Sequence, residues 1–283
     1  MRARSLPDLD VLLAPGSPAG TRLRHVPDEP ELVALYAHPS SPDGRTSVVR
    51  ASMISTIDGA SWGTDGRSGS INGDADYRAF RVMRALADIV VVGAGTARTE
   101  RYTPLAVPRG LAGARAAAGL SPALHTAVVT RSGHLPDAMV VPPVVPSGRA
   151  STAPSDPEQP YVVTCAAGRR HLPASVPAER VLVCGDDDVD LAAALAALAT
   201  RGLTRVLCEG GPALLGSMFE ADLIDELCLT TSPHVLGGPA ARPAVTANAL
   251  ADRPAARLAH LLHADGVLLA RWIIRQTHPA PVV

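Results

Sequence analysis

The stretch Arg205–Leu229, RVLCEGGPALLGSMFEADLIDELCL, decides the reading of the fold. It opens as a short apolar strand, breaks at two glycines and a proline, continues as an amphipathic helix and closes on a second strand. Pro212 suits the first helical position, where its missing N–H had no partner anyway. Gly210 and Gly211 remove side chains from the approach to that helix, so free backbone N–H groups point outward. That is an anion site by geometry. Glu209, at the strand's end, is a carboxylate one step before the glycines. It would repel a phosphate, so it is expected to face sugar hydroxyls or a reacting carbon, at the seam between cofactor and substrate.

The same alternation extends in both directions. SVVRASMISTIDG (residues 47–59) reads as a strand ending in an Asp-Gly turn, followed by a loop with four glycines between Gly59 and Gly69. Ala79, Phe80, Met83, Leu86 and Ala87 then form one apolar helical stripe, with Asp74 and Asp76 in the first turn, where carboxylates suit the dipole. DIVVVGAG (88–95) is an all-apolar run of the kind buried on both faces of a sheet. HTAVVT, YVVTC and RVLVC read as further strands. VDLAAALAALATRG reads as a helix ending at a glycine. In RLAHLLHADGVLLARWII, Asp265-Gly266 signals a hairpin. The expected fold is α/β: a mixed, mostly parallel central sheet with helices on both faces and a C-terminal antiparallel hairpin. Residues 1–45 read as an N-terminal arm and 46–283 as one domain, with surface insertions near 104–124 and 142–160.

The chain has 283 residues, a net charge of −1 and 47% hydrophobic residues. No basic surplus invites nucleic acid or an anionic membrane, and no run approaches the length of a membrane span. The opening residues are too short and too interrupted for a signal peptide, so a cytoplasmic protein is expected. All 26 basic residues are arginine, which excludes Schiff-base and P-loop lysine chemistry. Cys165, Cys184, Cys208 and Cys228 form no C-x-x-C pair and read as buried thiols. The histidines show no metal-ligand spacing, so no metal site is expected.

Three strand ends converge in such a sheet, and ligands bind outside the carboxyl ends of its strands. VVVGAGTART offers Gly93, Gly95 and Thr96 for a phosphate or the polar edge of a ring, with Thr96 as a possible cap. VVTRSG offers Thr130, Arg131 and Ser132, a set suited to a ribose 2′-phosphate and hence to NADP. CEGGPALL offers the glycine turn. The Gly-rich loop bearing Asp58 can close over a bound ring. Asp76, at a helix start, can accept the paired N–H groups of a pyrimidine or pterin ring.

Taken in order, STIDG…GRSG, LADIVVVGAGTARTERYTPL, TRSG, EGGPALLGSMFEADLIDEL and SPHVLGG resemble the pyrimidine reductase domain of bacterial riboflavin biosynthesis, from about Arg50 to the C-terminal hairpin. The resemblance implies a dihydrofolate-reductase-like fold, NADPH as hydride donor, a homodimer, and reduction of the ribosyl group of 5-amino-6-(5-phosphoribosylamino)uracil. It further implies that Gly93, Gly95 and Thr96 line the nicotinamide and pyrophosphate. Thr130, Arg131 and Ser132 would hold the 2′-phosphate. Glu209, Gly210, Gly211, Pro212 and Leu214 would surround the pyrophosphate and the reacting centre. Asp58 would lie in the loop over the nicotinamide, and Asp76 against the substrate ring. Glu209, Asp76 and Asp58 are thus the candidate catalytic residues, with Glu209 as a possible acid. The deaminase motifs H-x-E and P-C-x-x-C are absent, which implies a reductase alone. Where members carry D-P-x-L-T-x-R, this chain has ARTERYTPLAVPRG, leaving Arg98 or Arg101 to meet a substrate phosphate. Ser52 stands near the place of a first-strand lysine. A dihydrofolate or pterin reductase of the same fold, and a non-catalytic NADP-binding module, are the alternatives.

Overall fold

A computed structural model of the chain describes residues 6–38, 46–140, 158–239, 242–246, 248–250 and 255–274. Its strands are β1 (Leu9–Leu13), β2 (Arg22–Leu23), β3 (Val48–Thr56), β4 (Ile89–Gly93), β5 (His125–Val129), β6 (Tyr161–Thr164), β7 (Val181–Val183), β8 (Arg205–Cys208), β9 (Glu226–Ser232), β10 (Arg257–Ala264) and β11 (Val267–Ile273). All join one sheet in the order β2-β1-β10-β11-β9-β3-β8-β4-β5-β6-β7. The run from β9 to β7 is parallel, and the other strands add to it antiparallel. The expected mixed α/β sheet is therefore present. Asp265 and Gly266 both take positive φ, 51° and 79°, and form the two-residue turn of the β10–β11 hairpin.

The helices are α1 (Pro30–Leu35), α2 (Asp74–Ala85), α3 (Ala94–Thr99), α4 (Ala112–Ala117), α5 (Asp137–Val140), α6 (Ala166–Arg169), α7 (Leu191–Ala199) and α8 (Pro212–Glu220). Helices α1 and α2 pack on one face of the sheet, around Leu32, Ala79, Val82 and Met83. Helices α7 and α8 pack on the other, around Leu195, Leu198, Leu215 and Met218. Strand β4 is buried on both faces, as its unbroken apolar run requires, whereas β9 alternates buried and half-buried residues. The four cysteines are buried free thiols. No helix among the described residues is long and apolar enough to cross a membrane.

The described part of the 1–45 stretch packs into this body. Strand β1 pairs with β10, and Leu9, Val11, Leu23, Leu32 and Tyr36 join the core beneath α2. Arg78 of α2, fully buried, pairs with Glu29 at 2.5 Å and donates to the carbonyls of Pro7, Leu23 and Arg24. The 104–124 stretch also turns inward. Leu111 and Arg115 are buried, and Arg115 donates to the backbone oxygens of Ala85, Ala87, Ser121 and Ala123. Of the expected insertion at 142–160, residues 142–157 lie outside the described residues.

Candidate active site

A cleft of about 820 Å³ opens at the carboxyl ends of β3, β8 and β4. Its position follows from topology. The crossover from β3 to β4 carries α2 over one face of the sheet, and the crossover from β8 to β9 carries α8 over the other. The chain diverges there, and a crevice is left between neighbouring strands.

Three glycines let the strand ends approach. Gly93 N–H donates to Gly210 O at 2.7 Å. A Cβ at Gly210 would stand 2.8 Å from Met53 Sδ, and one at Gly211 would stand 2.3 Å from Thr96 Oγ1. Gly210 also takes φ +78°, a conformation that favours glycine. Gly95 lines the cleft with open space where a Cβ would project. The first turn of α8 starts at Pro212 and opens on the same space. Thr96 does not cap α3. It lies inside that helix, the N-cap is Gly93, and its hydroxyl is turned toward Gly211.

Glu209 is buried at the end of β8 and held by two side chains. Arg84 of α2 grips it with Nε on Oε1 and Nη2 on Oε2, both at 2.7 Å, and the Tyr102 hydroxyl donates to Oε2 at 2.6 Å. The Arg84 guanidinium lies over the Phe80 ring, 4.2 Å from its centroid. Burial and the Glu209 charge push the Tyr102 phenol well above its ordinary range. Arg84 is buried, which lowers its pKa, but the Glu209 charge outweighs this and raises it above the ordinary guanidinium value. The role of acid expected for Glu209 does not fit this geometry. Two guanidinium N–H bonds and a phenol O–H make this carboxyl an acceptor in the cleft.

Asp76 is the opposite case. It sits in the first turn of α2, lines the cleft and is buried. The Thr230 hydroxyl donates to it at 2.5 Å. Burial raises its pKa to about 6, against the smaller lowering effect of hydrogen bonds from Thr230 and Asn72. This carboxyl can hold and release a proton near neutral pH.

The structure brings Ser52, Asp76, Gly93, Gly95, Thr96, Glu209, Gly211, Pro212 and Leu214 to one cleft. Gly210 stands behind it as part of the turn. Asp58 is not there. Its exposed carboxylate accepts from the Thr56 hydroxyl and from the N–H groups of Leu236 and Gly237, which holds its pKa down at about 2. Asp58 pins the loop after β9, so the catalytic role expected of it is not supported. Arg98 and Arg101 are exposed outside the cleft, and Arg98 lies on the outer side of α3. Arg98, expected to meet the substrate, is therefore not among the residues that line the cleft. Thr130 is buried, with its hydroxyl turned to His134 O, while Arg131 and Ser132 line a separate shallow depression at the ends of β5 and β6.

Arg84, Tyr102, Phe80, Trp62 and Val245 line the cleft without having been singled out as site residues, and Glu100 lines it with them. A helical signal existed for two of them: Asp76, Phe80 and Arg84 are spaced i, i+4, i+8 on one face of α2. Glu100 accepts from Ser68 N–H at 2.7 Å and so ties the Gly-rich loop to α3. Val245 arrives from the loop after β9, whose backbone packs directly on Gly216.

The family profile described as the RibD C-terminal domain matches residues 47–269. No curated protein matches the sequence. Among solved structures, a pyrimidine reductase-like protein from Corynebacterium diphtheriae aligns at 23% identity with a TM-score of 0.66, covering 81% of this chain and 92% of that one. RibD of Acinetobacter baumannii aligns at 20% identity and TM-score 0.58, covering 81% of this chain and 58% of RibD. The riboflavin biosynthesis reductase Rib7 of Saccharomyces cerevisiae aligns at 12% identity and TM-score 0.52, covering 88% and 100%. At these identities the structural likenesses establish a shared fold.

Proposed function

We propose, from the premise that the chain belongs to the RibD C-terminal domain family, that it is an NADPH-dependent reductase of a substrate bearing a pyrimidine ring. The reading rests chiefly on one observation: Asp76, a buried carboxyl with a pKa near 6, faces the same cleft as the glycine turn of β8–α8. When bound, NADPH supplies the hydride. The residues present fit it. Gly93, Gly95, Thr96, Gly211, Pro212 and Leu214 would hold the nicotinamide and pyrophosphate, and Arg131 and Ser132 the 2′-phosphate. Asp76 holds the proton that reduction of an imine or open-chain sugar carbon requires, gives it up at its carboxyl oxygen, and once ionised accepts ring N–H groups. Glu209, fixed by Arg84 and Tyr102, presents acceptor edges to sugar hydroxyls. The Gly-rich loop, tied down by Glu100, excludes water from above.

The finer reading is 5-amino-6-(5-phosphoribosylamino)uracil as substrate, which the family supports. Dihydrofolate is the second reading, because the Asp76–Thr230 pair can accept the paired N–H groups of a pterin equally well. Residues 46–283 are proposed as the reductase domain, preceded by the 1–45 arm, whose described strand β1 pairs with its sheet, and a homodimer is proposed as the assembled form. A panel of both substrates followed by NADPH oxidation tests the activity. Turnover of either one, lost in Asp76→Asn, is the expected result. NADPH binding with no turnover of any pyrimidine or pterin would leave the non-catalytic binding module. Sedimentation of the purified chain tests the dimer.

A further inference from the structure

Arg131 and Ser132 line a depression of about 330 Å³ together with His134, Gly168, His171 and Asp187. It lies beyond the ends of β5 and β6. From β8 to β6 is three strand spacings, about 14 Å, a distance suited to a dinucleotide lying extended along the sheet edge from the main cleft.

Two glycines shape this depression. A Cβ at Gly133 would stand 2.1 Å from Gly168 O, and one at Gly168 would stand 2.2 Å from Arg131 O. The loops after β5 and β6 therefore touch backbone to backbone, and their side chains converge. The rings of His134 and His171 stack, with centroids 6.3 Å apart and planes 10° from parallel. His134 Nδ1 lies 3.1 Å from Ser132 Oγ. Both imidazoles are exposed.

The charges around them are divided. Asp187 lines the depression, and the Asp188 carboxylate approaches Arg131 at 4.0 Å. Asp186 precedes them in the same turn, while Arg169 and Arg170 stand exposed on and just after α6. With neutral imidazoles, Arg131, Arg169 and Arg170 stand against Asp186, Asp187 and Asp188, so the depression and its rim offer a phosphate no surplus of positive charge. With both imidazoles protonated, two cations stand side by side, an arrangement that an anion between them relieves.

We infer that His134 and His171 are the proton-dependent part of cofactor choice. Protonated, they receive the 2′-phosphate of NADPH beside Arg131 and Ser132. Neutral, they leave little discrimination between NADPH and NADH. The inference rests on the NADPH reading above. Imidazole is the side chain whose charge changes near neutral pH. The phosphate's own second ionisation, at a pKa of about 6, acts in the opposite direction and is common to every variant.

The test is a fluorescence titration of the full chain with NADPH and, separately, NADH, from about pH 6 to about pH 8. In the wild type the affinity ratio of NADPH over NADH falls about tenfold across that range, the equivalent of one charge-assisted contact. The fall is absent in His134→Gln and His171→Gln. His134→Lys, with a lasting charge, keeps the preference at the upper pH. Unchanged NADH affinity in each variant shows that the fold is intact. No fall in the wild type, or an undiminished fall in both Gln variants, overturns the inference while the cofactor reading stands. If the wild type binds neither nucleotide at any pH, the cofactor reading fails and this inference with it.

Discussion

Asp76 and Glu209 face one cleft from α2 and from the end of β8, and they are 7% and 6% exposed. Burial penalises the charged form of each. For Asp76 the offset is a threonine hydroxyl and an asparagine amide, and burial prevails. Glu209 instead has a bidentate guanidinium and a phenol on its two oxygens. Equal burial therefore does not give equal chemistry. The partners differ: one carboxyl has only a hydroxyl and an amide beside it and its pKa is raised by burial, while the other is clamped by a cation.

Four substitutions put pressure on this division. Asp76→Asn should cut turnover about 10²–10⁴-fold, the usual yield of a positioned acid. The wild-type rate should decline as pH rises through about 6, where Asp76 loses its proton. A rate that stays level across that pH, or a variant that keeps its activity, would remove Asp76 from the chemistry. Arg84→Met should lower stability by about 3 kcal/mol, because it strands a buried carboxylate. Adding Glu209→Gln should restore most of that loss, as read by chemical denaturation. If the double variant is no better than the single, Arg84 matters through packing on Phe80 and not through charge.

Asp76→Asn should also stabilise the fold at alkaline pH. A carboxyl raised to about 6 contributes stability that is complete below the ordinary carboxyl range and lost as pH rises through about 6. The neutral amide escapes that loss, which is worth up to roughly 3 kcal/mol by linkage. A Tm for the variant above the wild type at pH 8, and level with it at pH 4, is the expected pattern. The smallest effect is that of Tyr102→Phe, about 1.5 kcal/mol for one hydrogen bond to a carboxyl that keeps its main partner. Its activity should persist, since Arg84 still fixes Glu209.

The glycine turn, the all-apolar strand and the Asp-Gly hairpin were legible in the sequence, because each is a local rule about backbone and periodicity. Strand order and site membership were partly legible, through the ordered motifs. The pairing of Arg84 with Glu209 was not. The two are 125 residues apart, and nothing local says that α2 and the end of β8 meet. Asp58 misled for the converse reason. Asp-Gly marks a turn reliably, but whether its carboxylate faces a ligand or a neighbouring backbone depends on where the loop after β9 returns. Strand β1 was hidden because Asp10 and the nearby prolines and glycines break its apolar run. Its pairing comes from β10, far along the chain.

Arg78 has a consequence for how the protein can be divided. It belongs to α2, two residues beyond Asp76 and six before Arg84, and it fastens Pro7, Leu23, Arg24 and Glu29 to that helix. A fragment starting near residue 46 would contain every residue of the cleft and still leave this guanidinium with no acceptors in a site built to be dry. The helix that carries both the acid and the clamp on Glu209 would be the first element to loosen. Protease nicking between residues 6 and 38 should therefore abolish activity before it unfolds the sheet, and α2 should lead in hydrogen exchange once the arm is gone.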